Sequence, residues 1–119
     1  MKKFYFLSTC NTCQRILDHL DLGLDFELQD IKKTPLTSNQ LEQLKELSGS
    51  YEGLFSKRAK LYKELGLKEK SLDENDYKNY LLEHYTFLKR PVLVLNKQLF
   101  IGNSPKVINS AKTAILNEK

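Results

Sequence analysis

Hydrophobic and polar positions repeat with two different periods in the first third of the chain. Lys3–Leu7 is short, aromatic and bounded by Ser8-Thr9, which is typical of a β-strand. Over Thr12–Leu22 the apolar residues recur every three or four positions, as in an amphipathic helix, and Gly23 is expected to cap its end. Alternation over Asp25–Ile31 predicts a second strand. The chain therefore opens β-α-β, and such a short crossover makes the two strands parallel.

A block of about three helices follows. Thr37 and Gln40 have the spacing of a capping box, and the helix they begin is expected to stop at Ser48-Gly49-Ser50. Arg58–Leu65 predicts a second helix, closed by Gly66. A third helix is expected to begin at 71–73 and to run to about Tyr85.

The last third returns to strand patterns. The dense apolar run Pro91–Leu95 predicts a central strand that starts at a proline. Asn96-Lys97 is typical of a tight turn, and Gln98–Ile101 is expected to return antiparallel as a hairpin. Ser104, followed by Pro105, predicts the start of a final helix.

The element order is thus β-α-β, a helical block, and β-β-α. This order is the layout of thioredoxin and glutaredoxin, with a helical insertion between the two halves. We predict an α/β, thioredoxin-like fold with a four-stranded mixed sheet. No linker rich in Pro, Gly or Ser separates the parts, so residues 1–119 are predicted to form a single domain with an insertion lobe at about 37–88.

Composition and charge exclude several classes of function. The net charge is +4 in 119 residues, but the lysines are scattered among acids, which indicates solvated helix faces and no direct nucleic-acid surface. No apolar run approaches the ~18 residues of a membrane span. The apolar N-terminal run is interrupted at Ser8-Thr9 and is too short for a signal peptide. We therefore expect a cytoplasmic protein that does not enter membranes.

The two cysteines, Cys10 and Cys13, are three positions apart. In a reducing compartment this spacing indicates a redox pair or half of a metal site, and chance proximity is the third alternative. A structural zinc site needs about four ligands. His19 and His84, the remaining soft ligands, lie in helical patterns without a partner at metal spacing. We expect no metal and no organic cofactor.

Cys10 falls where the first predicted strand ends and the first helix begins. Unpaired backbone N–H groups and the helix dipole stabilise a thiolate there and lower the pKa of the thiol. Cys13 lies one turn later on the same face, which suits a resolving thiol that forms a disulfide with Cys10. Arg15 lies in the first turn of the predicted helix or just beyond it. It either adds positive charge near Cys10 or is a solvated residue on the helix surface.

Four segments of the chain together resemble the ArsC/Spx/YffB family, the glutaredoxin-like arsenate reductases and their relatives. These segments are 8–15 around the cysteines, 54–58 with 62–67, 87–93 and 101–103. A thioredoxin-like fold implies that Pro91 is a cis-proline facing the dithiol, and that Arg90 brings a guanidinium to the same pocket. The resemblance further implies that Arg58 helps to bind an anion.

Two functions follow from this resemblance. The first is an enzyme, a thiol oxidoreductase that reduces an oxyanion or a mixed disulfide, with Cys10 as nucleophile and Cys13 or an external thiol as resolving group. Glutathione or glutaredoxin would be its external reductant. The second is a redox-sensing regulator, similar to Spx, that binds the C-terminal domain of the RNA polymerase α-subunit. We expect a monomer in either case.

Overall fold

The computed structural model describes residues 1–118, and within them the chain forms four strands and five α-helices. The strands are β1 (Lys2–Phe6), β2 (Glu27–Asp30), β3 (Val92–Leu95) and β4 (Gln98–Ile101). The helices are α1 (Asn11–Leu20), α2 (Ser38–Ser48), α3 (Lys60–Glu64), α4 (Glu74–Glu83) and α5 (Pro105–Asn117). This order confirms the predicted β-α-β, helical block and β-β-α arrangement.

The four strands form one mixed sheet in the order β2-β1-β3-β4. Strands β1 and β2 are parallel, whereas β3 is antiparallel to both β1 and β4. Phe6 pairs with Asp30 at the carboxyl ends of the parallel pair, and Tyr5 pairs with Val92 at the start of β3. The segment after β1 therefore leaves the sheet beside the end of β2 and the beginning of β3.

One compact unit of the chain comprises Met1–Thr34 and the residues from Arg90 onward. Its core lies between one face of the sheet and helices α1 and α5. The buried side chains of this core are Phe4, Ile16, Leu20, Leu93, Leu95, Ala111 and Ile115. The Nζ atom of Lys112 on α5 also donates hydrogen bonds to the carbonyls of His19 (2.9 Å) and Leu20 (3.3 Å) at the end of α1. Both core packing and this C-terminal cap fix α1 in place.

The second compact unit, Pro35–Lys89, contains α2, α3 and α4. The capping box of α2 is confirmed, because the Thr37 side chain accepts from the Gln40 N–H while Gln40 bonds back to the Thr37 N–H. Phe55 stacks on Phe87 with ring centroids 5.0 Å apart and meets Tyr77 edge-on. The extent of this unit is close to that of the predicted insertion lobe, and the single-domain organisation stays a prediction.

Three helix boundaries lie about two residues from the predicted ones. Helix α1 ends at Leu20 and its C-cap is Asp21, in the left-handed region at φ 50°, so the prediction that Gly23 caps this helix is wrong. Aspartate tolerates that conformation because its short polar side chain can bond locally. Helix α3 starts at Lys60, and Arg58 lies in the turn before it. Tyr85 begins a short 3₁₀ turn beyond the end of α4.

Across residues 1–118, no helix combines the length and the hydrophobicity that a membrane crossing requires.

Candidate functional site

Cys10 is the N-cap residue of α1. Its backbone is extended, at φ −98° and ψ 112°, and its N–H donates to the Leu7 carbonyl at 3.0 Å. The Cys10 carbonyl accepts the first helical hydrogen bond, from the Gln14 N–H at 3.2 Å. The Cys10 side chain makes no regular capping hydrogen bond, and the first turn of α1 carries no acidic residue. The positive end of the helix is therefore available to the Cys10 sulfur.

Five effects act together on the pKa of the partly exposed Cys10 thiol. Partial burial raises its pKa, but the backbone N–H groups of Cys13 and Thr12, the Cys13 side chain and the charge of Arg90 all lower it. The balance lies below the ordinary value of a cysteine. A thiol with a lowered pKa is more fully ionised at neutral pH, and the thiolate is the nucleophile.

Cys13 has the opposite environment, three residues further along the same helix. Its side chain is fully buried, and burial raises the pKa of the Cys13 thiol to about 11. The Leu7 backbone N–H and Arg90 counteract this, whereas the hydrogen bond and the negative charge of Cys10 raise the pKa further. The two sulfurs are not joined by a disulfide in this structure. The pair therefore has one acidic, accessible thiol and one protonated, shielded thiol.

The segment before β3 brings a charge to this pair. The Arg90-Pro91 peptide bond is cis, and Pro91 is buried with its carbonyl accepting from the Gly102 N–H at 2.9 Å. Arg90 is partly exposed, and its positive charge acts on both cysteines. Because β3 runs antiparallel to β1, residues about 80 positions apart in sequence meet here.

The two other predicted arginines have different positions. Arg15 is exposed on α1, and its guanidinium makes a long hydrogen bond of 3.5 Å to the Thr12 hydroxyl. Arg58 is an exposed turn residue of the second unit, Pro35–Lys89. Roles for both in binding an anion stay predictions.

Sequence reasoning missed Asp30, at the carboxyl end of β2. Its Oδ1 atom accepts from the Ser8 N–H at 3.3 Å and from the Lys32 N–H at 3.2 Å. Ser8 lies in the short segment between β1 and Cys10. An acidic residue ending the second strand of a β-α-β unit is the signal that would have indicated this contact, since parallel strands end at the same edge.

Within residues 1–118, no three His, Cys, Asp or Glu side chains are grouped in a way that could hold a metal ion.

Comparisons with known proteins agree with this fold. Residues 5–111 match the profile of the ArsC family. The global transcriptional regulator Spx 2 of Bacillus anthracis is 26% identical over 105 residues, which cover 86% of this chain and 79% of the relative. The regulatory protein MgsR of Bacillus subtilis (strain 168) is 28% identical over 106 residues, covering 86% and 82%.

Among solved structures, the arsenate reductase from Vibrio cholerae has a TM-score of 0.75 at 21% identity and covers 98% of this chain and 95% of that chain. This likeness shows a common fold. The family match extends over nearly all of the β-α-β and β-β-α halves. The resemblance seen in the sequence is confirmed, and the chain belongs to the ArsC family.

Proposed function

We propose that this protein is a thiol-dependent reductase in which Cys10 is the nucleophile and Cys13 the resolving thiol. The observation that supports this most directly is the position of Cys10 at the uncapped N-terminus of α1, with Cys13 fully buried one helical turn behind it. The pKa values of the two thiols shift in opposite directions accordingly. A thiolate poised at a helix N-terminus attacks, and a shielded thiol beside it completes the exchange.

With a mixed disulfide as substrate, the reaction has two balanced steps. The Cys10 thiolate attacks one sulfur, a Cys10–substrate disulfide forms, and the other substrate thiol leaves. The Cys13 sulfur then attacks Cys10, the second substrate thiol leaves with the Cys13 proton, and a Cys10–Cys13 disulfide remains. The substrate gains two electrons and the dithiol loses two. An external thiol, glutathione or glutaredoxin, returns them.

The state of Cys10 itself controls when Cys13 reacts. The hydrogen bond and the negative charge of Cys10 both raise the pKa of Cys13. When Cys10 is bound in a mixed disulfide its charge is gone, so this part of the upward shift disappears and Cys13 ionises more readily. The resolving step is thereby favoured only after the first step has occurred.

The charge around the dithiol favours an anionic substrate. Arg90 is the cation that acts on Cys10, and we assign supporting roles in substrate binding to Arg15, Arg58 and the cis-proline Pro91. Arginine holds carboxylates and oxyanions through paired hydrogen bonds.

With arsenate as substrate, the Cys10 sulfur would displace one arsenate oxygen as water. Attack by a second thiol on that sulfur would then leave the electron pair with arsenic, giving arsenite and a disulfide. We place this activity in the cytoplasm, in a monomer.

The decisive experiment measures turnover of a glutathione mixed disulfide and of arsenate, with glutathione and glutaredoxin as reductants. Wild type should turn over at least one of them, and Cys10→Ala should lose activity completely. Mixed with the glutathione disulfide in the absence of any added reductant, Cys13→Ala should be trapped as a Cys10–substrate disulfide, which intact mass spectrometry detects as an added glutathione.

Equal activity of wild type and Cys10→Ala would contradict the mechanism. Arg58→Gln and Arg15→Gln serve as matched variants, because each removes one exposed arginine without touching the cysteines. A raised KM with unchanged kcat in either variant would support its role in substrate binding.

A second candidate function is regulation of transcription. It is favoured by the two relatives described above, Spx 2 and MgsR, both of which are named as regulators. In this case the dithiol would switch a surface that binds the C-terminal domain of the RNA polymerase α-subunit. Pull-down with that domain, using reduced and oxidised protein, tests the idea. Absence of binding in both states would remove it.

A further inference from the structure

The Asp30 side chain connects the end of β2 to the segment that leads into Cys10. Its Oδ1 atom accepts from the Ser8 N–H on one side and from the Lys32 N–H on the other. The Ser8 side chain also interacts with this carboxylate and lowers the pKa of Asp30, helped against partial desolvation by the two backbone N–H groups and the charge of Lys33. The group is therefore ionised at neutral pH, and its negative charge assists the hydrogen bond from the Ser8 N–H.

The second carboxylate oxygen of Asp30, Oδ2, is in an unfavourable environment. Oδ2 is buried and, within residues 1–118, has no hydrogen-bond partner. A buried carboxylate oxygen without a partner destabilises the folded state. The stabilising contribution of Asp30 must therefore come from Oδ1 and from what it holds, which is the Ser8-Thr9 segment before the cysteine.

We infer that Asp30 is a positioning residue for Cys10: by holding Ser8, it keeps the Cys10 sulfur at the N-terminus of α1. This inference rests on the proposed function, because it concerns the reactivity of the same thiolate. Only Thr9 separates Ser8 from Cys10, and the Cys10 N–H donates to the carbonyl of Leu7, the residue before Ser8. Without the Asp30 contact, the Leu7–Cys10 turn would keep its own backbone hydrogen bond but lose its link to the end of β2.

An effect of Asp30 through its charge and an effect through positioning predict opposite changes in the pKa of Cys10 when Asp30 is replaced. If Asp30 acted on Cys10 through its negative charge, its removal would lower the pKa of the thiol. If it acts by positioning, removal lets the sulfur move away from the Thr12 and Cys13 N–H groups, and the pKa rises. Cys13 and Arg90 are the ionisable groups that face Cys10 directly, and they are unchanged in both cases.

The test is the pH dependence of Cys10 alkylation by iodoacetamide in the full chain, followed by mass spectrometry. Asp30→Ala should move the midpoint upward and slow alkylation at pH 7 by roughly three- to tenfold, since one pH unit is a factor of ten. Asp30→Asn keeps the acceptor oxygen and should stay within about twofold of wild type. Asp30→Glu keeps the charge but displaces the acceptor, and should also raise the midpoint.

Asp25→Ala is the matched control. It removes a carboxylate from the residues that precede β2, where Asp25 pairs with Lys2 at 2.7 Å, and should leave the Cys10 profile unchanged. If Asp30→Ala does not fold, Asp30→Asn and Asp30→Glu still decide between charge and position. A lowered midpoint in Asp30→Asn together with a wild-type midpoint in Asp30→Glu would overturn the inference. A wild-type midpoint equal to that of an unfolded cysteine peptide would instead overturn the proposed function.

Discussion

At the scale of single residues, two thiols only three positions apart have opposite environments. Cys10 is partly exposed and faces backbone N–H groups, whereas Cys13 is fully buried behind it. Burial acts in the same direction on both, and the helix N-terminus benefits only the first. Each thiol also affects the other, because the Cys13 side chain lowers the pKa of Cys10 while the Cys10 charge raises that of Cys13.

Arg90→Gln should raise the pKa of Cys10, since the positive charge that favours the thiolate is removed. We expect alkylation of Cys10 at pH 7 to slow by roughly two- to tenfold, with Arg90→Lys closer to wild type. Salt at 1 M should reduce the difference between Arg90→Gln and wild type by screening. Arg15→Gln is the control, because that arginine contacts Thr12 and is exposed. An effect of Arg15→Gln equal to that of Arg90→Gln would contradict the assignment.

At the scale of elements, the helix N-termini of this chain are used in two ways. Thr37 and Asp73 close α2 and α4 with full capping boxes. Helix α1 instead begins at a cysteine with no side-chain cap and no acid in its first turn. A capping side chain would compete with the thiolate for the same N–H groups. Because the start of α1 is uncapped, its partial positive charge remains available to the Cys10 sulfur.

Thr37→Ala should destabilise the protein by about 1 kcal/mol, the usual cost of losing an N-cap side chain. The free energy of unfolding, measured by urea denaturation, checks this. Ser38→Ala is the matched control, because it removes an exposed hydroxyl one residue further along and leaves the capping box intact. Equal losses in both variants would show that the cap contributes nothing of its own.

At the scale of the whole molecule, buried ionisable groups set the response to alkaline pH. Burial raises the pKa of the Tyr5 phenol to about 12 from 10.0, and that of Cys13 to about 11 from 9.0. Between these values the folded chain keeps protons that the unfolded chain has released. The free energy of unfolding therefore falls as pH rises from about 9 to about 12.

Tyr5→Phe should flatten this fall between pH 10 and pH 12, because phenylalanine has no proton to lose. The measurement is the free energy of unfolding in denaturant at several pH values in that window. Tyr51→Phe, which changes a less buried tyrosine, should run parallel to wild type. A parallel curve for Tyr5→Phe as well would show that Tyr5 titrates alike in the folded and unfolded chains.

Much of the fold was predictable because it is encoded locally. The periods of apolar residues predict β1, α1, α2 and the β3–β4 hairpin, and Thr37 with Gln40 marks the start of α2. Boundaries were less predictable where two residues compete for one role. Asp21 takes the left-handed position for which Gly23 was expected, because the end of α1 is set by core packing of Leu20 and by Lys112 from a distant helix.

The sequence by itself determined the dithiol, its place between a strand and a helix, and the α/β class of the domain. Each of these depends on neighbours within a few residues of one another. The tertiary structure alone decided that Arg90 acts on Cys10, that Cys13 is fully buried and that Asp30 holds Ser8. These contacts depend on strand register, which joins residues 24 positions apart between β1 and β2 and 87 to 93 positions apart between β1 and β3. No local pattern contains that register, because it is fixed only when the strands pair and the core closes.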